Sequence, residues 1–138
     1  MGDDEHGLRF LDSDVLIDTI TAHAERGPTA AQILTRLEQG EHVLTSTLVL
    51  LEVGWFLEAV GKGSEVKRVL EAILSFRNLE VVEPTSKDLV RASELARSYE
   101  LSLSQGVKAA LMLSRGVNEA YSRDRGIGRV DLISTIFS

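Results

Sequence analysis

The residues of this chain with the most chemistry in them are acidic. Asp12 follows the apolar residues Leu8, Phe10 and Leu11, and Asp14 stands two positions later, ahead of Val15, Leu16 and Ile17. A stretch of that kind reads as a buried central strand of an α/β sheet, and such sheets bind ligands at the carboxyl ends of their strands. Two carboxylates just past a strand end, with no basic residue beside them, repel each other until a cation or a proton relieves them. The competing reading is that one of them caps the helix that follows, which Asp does often. Glu52 is the third acid of interest, because it interrupts TLVLLEVGWFLEAVGKG, a segment apolar almost all round and therefore expected to be a buried helix. A buried carboxylate needs a partner or a cation. Glu58, six positions on, is about 240° round the helix and points elsewhere, to solvent. Asp124 follows a late strand, and parallel strands deliver their carboxyl ends to one edge, so Asp12 and Asp124 can meet there.

Oxygen ligands clustered in this way suit Mg²⁺ or Mn²⁺, ions that activate water and stabilise displacement at phosphorus. The rest of the composition agrees. There are no cysteines, which removes thiolate metal sites, cysteine nucleophiles and disulfide frameworks, and the three histidines stand at no ligand spacing. The net charge of -6 excludes a surface that attracts nucleic acid as a whole, so an RNA partner would need a local basic patch or metal ions. No apolar run has the length of a membrane span, and the acidic start MGDDEHG is unlike a signal peptide, so a cytoplasmic location is expected.

Strands and helices alternate along the chain, which predicts one α/β domain with a mostly parallel central sheet and helices on both faces. Residues 1–7 are expected to be a flexible tail and residues 8–138 the domain. After the first strand a helical segment is expected to about Glu25, then a helix capped by Thr29 and ended by Gly40. His42–Thr45 predicts a strand, with Ser46 or Thr47 capping the Glu52 helix. A helix opened by Ser64 follows, then the strand Leu79–Val82, a helix started by Thr85 or Ser86, and a helix from Ser104 to Gly116. Gly106 lies in its first turn, where the helix penalty is mild. Glu119–Tyr121 predicts a strand, and VDLISTIF an edge strand. Trp55 and Met112 are expected in the core, Trp55 alternatively in a dimer interface. Gly126-Ile127-Gly128 is too short, and wrongly placed, for a dinucleotide loop.

The segments FLDSDVLI, TSTLVLLEVGWFL, LSLSQGVKAALMLSRG and YSRDRGIGRV, in this order and over nearly the whole chain, resemble the PIN-domain family and the VapC-type toxin ribonucleases within it. The resemblance implies a metal-dependent endoribonuclease that hydrolyses RNA phosphodiester bonds. It assigns Asp12, Glu52 and Asp124 as metal-binding and catalytic acids, with Ser122 as a supporting hydroxyl. Asp14 falls where the family usually has Asn or Ser, as a capping or outer group. It further implies a homodimer and an antitoxin partner, whose peptide could insert an Arg among the carboxylates. The chain departs from the family pattern at Gln105, where an Asp usually opens the late helix. Gln is neither an anionic ligand nor a general base, though its amide oxygen binds metal weakly. This substitution implies an attenuated nuclease, with Asp14 as a compensating acid. Arg123, Arg125 and Arg129 flank Asp124 and could hold RNA phosphates.

Two other readings compete. A PIN-like scaffold without its usual third acid could bind RNA or protein without cutting. LDSDVL also resembles the start of haloacid-dehalogenase phosphatases, but Leu16 stands where those have Thr or Val, and no later Gly-Asp motif follows.

Overall fold

The computed structural model describes residues 7–137, so residues 1–6 of the expected tail lie outside the described residues. Five strands form one sheet: β1 (Arg9–Leu11), β2 (Val43–Ser46), β3 (Leu79–Val82), β4 (Glu119–Tyr121) and β5 (Ser134–Thr135). Their order is β3-β2-β1-β4-β5, and every pairing is parallel. In the adjacent strands β1 and β2, Phe10, Leu11, Val43 and Leu44 are fully buried. Parallel strands covered on both faces require such runs. The short tail strand β5 lies at one edge, as its weak alternation predicts.

Six helices connect the strands: α1 (Ser13–Ile20), α2 (Gly27–Glu38), α3 (Thr47–Ala59), α4 (Val66–Leu74), α5 (Ser86–Tyr99) and α6 (Leu103–Ser114). α1 packs on α2 and α3, α3 on α4, and α5 on α6. Right-handed crossovers place the first four on one face, and the step from β3 across to β4 places α5 and α6 on the other. The strand order therefore reverses between β1 and β4, where open α/β sheets have their binding crevice. Leu111 and Met112 of α6 lie in the core. None of the helices among the described residues is long and apolar enough to cross a membrane.

Several boundaries differ from the sequence reading for local reasons. α1 stops at Ile20 rather than near Glu25, because Ala22 turns left-handed and the His23 amide donates to the Asp18 carbonyl. α2 begins at Gly27 with Pro28 in its first turn, where the missing N–H costs nothing, so Thr29 is not its cap. Ser64 sits in a 3₁₀ turn (Gly63–Glu65) ahead of α4 and caps nothing. α3 is not buried all round: Val49, Val53 and Leu57 face the core, whereas Leu51 and Trp55 are exposed, Trp55 by 52%. Trp55 is thus no core residue. α6 starts one residue earlier than expected, at Leu103, and its cap is Ser102.

Candidate functional site

The carboxyl ends of β1 and β4 bring the predicted acids together. Asp12 follows β1 directly and caps α1, accepting from the Ser13 amide through Oδ1 at 2.8 Å. The cap expected of Asp12 is present, and it leaves the side chain at the edge where the other acids gather. Its amide is fixed to the Tyr121 carbonyl of β4, and Thr45 of β2 donates to the Leu11 carbonyl beside it. Ser122, fully buried after β4, donates to Asp12 Oδ2 at 2.6 Å and accepts from the Asp124 amide at 3.0 Å. Ser46 caps α3, and Glu52 in that helix reaches the same edge, accepting from Ser13 Oγ at 2.9 Å and Ser104 Oγ at 2.7 Å.

A residue absent from the sequence reading joins these acids. Lys108 Nζ lies 2.7 Å from Asp12 Oδ1 and 2.6 Å from Glu52 Oε1, and the lysine is buried. Burial works against its charge, but the two carboxylates outweigh this and raise its pKa above the ordinary lysine value. The ammonium is therefore held charged between them. The sequence did carry a signal: Lys108 is the single charged residue between Gly106 and Ser114 in an otherwise apolar helix, and it lies four positions after Ser104.

Gln105 performs two tasks. Its Oε1 accepts from the Ser102 amide at 2.9 Å while Ser102 Oγ accepts from the Gln105 amide, which closes the capping box of α6. With the oxygen committed there, the Nε2 group faces Asp124 and donates to both carboxylate oxygens, at 2.8 and 3.0 Å. The amide oxygen expected to serve a metal is turned away from the site. Asp124 Oδ1 also accepts from the amides of Gly126 and Ile127. A Cβ on Gly126 would lie 2.6 Å from Gln105 Nε2, so this pairing needs glycine there.

Asp14 does face the site. Its Oδ2 accepts from the Arg123 amide at 2.7 Å, and its Oδ1 is buried with no hydrogen-bond partner among the described residues. Burial, then the neighbouring Asp12 charge, push its pKa up to about 6. The guanidinium of Arg123 pairs with buried Asp18 at 2.9 Å, as does Arg26 at 3.2 Å. Arg26, Arg123 and Arg125 line a cleft of about 630 Å³ with Thr135, Ile136 and Phe137. Arg129 is different, since it donates to the Tyr99 and Glu100 carbonyls at the end of α5 and takes no part in the cleft.

All six carboxylate oxygens of Asp12, Glu52 and Asp124 are thus occupied by donors of the chain itself. Among the described residues no group of three acidic or histidine side chains is arranged to hold a metal ion. The donor set fits one ammonium and one amide, and it does not fit the Mg²⁺ or Mn²⁺ that the acids alone suggested.

A family model described as PIN domain matches residues 9–133. A comparison with curated proteins finds no match. Among solved structures, the chain is similar to the sarcin-ricin loop cleaving toxin VapC20 of Mycobacterium tuberculosis, with a TM-score of 0.71 and 24% identity over 87% of this chain and 90% of that one. It is also similar to VapBC2 of Rickettsia felis bound to a promoter DNA fragment, with a TM-score of 0.71 and 16% identity over 94% of this chain and 98% of that one. DNA-bound VapBC of Salmonella typhimurium gives a TM-score of 0.67 and 19% identity, over 94% and 98%.

Proposed function

The chain belongs to the PIN-domain family, and from that membership we propose that it is an RNA-directed protein of the ribonuclease class with attenuated cleavage. The observation that carries this reading is the single hydrogen-bonded network running from Glu52 through Lys108, Asp12 and Ser122 to Asp124 and Gln105 at the β1–β4 edge. An RNA phosphodiester would be engaged at this edge, with neighbouring phosphates held in the cleft by Arg123 and Arg125. Hydrolysis with Mg²⁺ or Mn²⁺ is the activity that the family resemblance implies. Here a divalent ion has to compete with side chains that already hold the oxygens, which is the source of the attenuation. The VapBC complexes among the structural neighbours support a small antitoxin protein as partner. Exposed Leu51 and Trp55 on α3 support a homodimer, which would cover them. A cytoplasmic location fits this class of partner.

A second reading is favoured by Lys108. With Asp12 and Glu52 neutralised by a buried ammonium, the scaffold serves as a non-catalytic RNA-binding or protein-interaction module. Labelled single-stranded RNA, with Mn²⁺ added, separates the two. The expected result is RNA binding by the native chain with slow cleavage that Asp12→Ala abolishes. Binding without any cleavage by the native chain moves the assignment to the second reading. Neither binding nor cleavage overturns the RNA-directed reading itself.

A further inference from the structure

We propose that Lys108 and Gln105 together stand in for the divalent cation at this edge, the ammonium neutralising Asp12 and Glu52 and the amide holding Asp124, so that such an ion binds the native chain only weakly, in competition with them. The inference rests on the reading above in taking this edge as the working site, and it assigns how the site is regulated by its own side chains.

The geometry carries it in three steps. First, the ammonium bridges the two acids at 2.7 and 2.6 Å, the position from which a cation shared by both would have to displace it. Second, Lys108 cannot step aside cheaply. It is 4% exposed, it lies on α6 between buried Val107 and Ala109, and Ser104 one turn earlier binds the same Glu52. A divalent ion entering beside it would meet a retained positive charge at contact distance, where Coulomb repulsion is strong. Third, Gln105 is a donor toward Asp124 because the capping box fixes its oxygen on Ser102. An Asp at this position could keep that box, as Asp88 does in α5, but it could not donate to Asp124. Two carboxylates would then face each other, a pairing that only a cation or a proton relieves. The two residues therefore divide one task, charge for one pair of acids and hydrogen bonds for the third.

Calorimetric titration of the full chain with Mn²⁺ tests this, alongside thermal unfolding with and without Mn²⁺. At Mn²⁺ concentrations that saturate the double variant described next, the native chain should give no saturable heat and no shift of Tm. Lys108→Met combined with Gln105→Asp should bind Mn²⁺ at least about a hundredfold more tightly than native, as expected from removing one positive and adding one negative charge at contact range. Its Tm should rise with added Mn²⁺, and Asp12→Ala in that background should cancel both effects. Lys108→Gln, which keeps an amide donor to Asp12, replaces Lys108→Met if the latter does not fold. Saturable, Asp12-dependent binding by the native chain at those same concentrations overturns the proposal, as does a folded double variant that still binds nothing. Each outcome is read from metal binding alone, so a failure of the RNA assays leaves this test intact.

Discussion

Asp14 carries a buried oxygen, Oδ1, that no group among the described residues satisfies, and its carboxyl is pushed up to about 6 because burial and Asp12 both oppose its charge. A folded state that holds a proton more tightly than the unfolded chain loses stability as the pH rises from the unfolded to the folded pKa. Stability should therefore decline between about pH 4 and pH 6 from this group and stay level above that window. Asp14→Asn keeps an acceptor for the Arg123 amide and removes the charge. The variant should be more stable than native near neutral pH, by about 1–3 kcal/mol, and should lack this decline. Urea unfolding across the window measures it. A native stability that instead increases through the window would show Asp14 held ionised by a cation, against the neutralised edge described above. Asp14 thus stands at this edge as an acid whose charge burial and Asp12 both oppose. Asp12 and Asp124 were legible in the sequence because strand ends announce them. Lys108 left a fainter mark, one lysine in an apolar run, because its partners stand 96 and 56 positions away and converge on it only in the fold.

The helix that carries Lys108 is positioned by one close contact. A Cβ on Gly106 would lie 2.4 Å from the Ala92 carbonyl oxygen of α5, nearer than atoms can approach, so α5 and α6 lie together only with glycine at this point. Helix propensity and packing give opposite signs for Gly106→Ala: propensity favours Ala by about 1 kcal/mol, whereas the clash is against backbone and cannot be relieved by a side-chain rotation. Packing should win, with a net loss of about 2–4 kcal/mol in urea unfolding. A gain in stability would show that α6 can slide, and with it Ser104, Gln105 and Lys108. At this scale the sequence was a good guide to existence and a poor one to ends. All five strands and the α/β alternation follow from apolar runs and breakers. The ends of α1, α2 and α6 do not, because a left-handed residue at Ala22, a proline in the first turn and a capping box at Ser102 decided them. Of the two places expected for Trp55, the core is ruled out and a dimer interface is not: the all-round apolar pattern of α3 does not separate a face in the core from an exposed one.

Across the whole molecule, a net charge of -6 opposes any polyanion, and the topology answers this locally. The reversal between β1 and β4 brings the loop after β4 beside α1, so that Arg26, Arg123 and Arg125 meet in one cleft next to the acidic edge. The three arginines are not equivalent. Arg26 and Arg123 share buried Asp18, and removing Arg123 would leave that carboxylate short of a partner, which confuses binding with stability. Arg125 is exposed and makes no ion pair among the described residues, so its charge is free to meet phosphate at little structural cost. Arg125→Ala should leave Tm unchanged and weaken binding of single-stranded RNA. The slope of log affinity against log salt should become shallower by somewhat under 1, the change expected when one phosphate contact to a single strand is lost. Fluorescence anisotropy over a series of salt concentrations reads both quantities from the same titrations. Weaker binding with an unchanged slope would place Arg125 outside the phosphate path. An unchanged affinity would leave the acidic edge without a basic approach, and the whole-molecule charge would then decide against RNA.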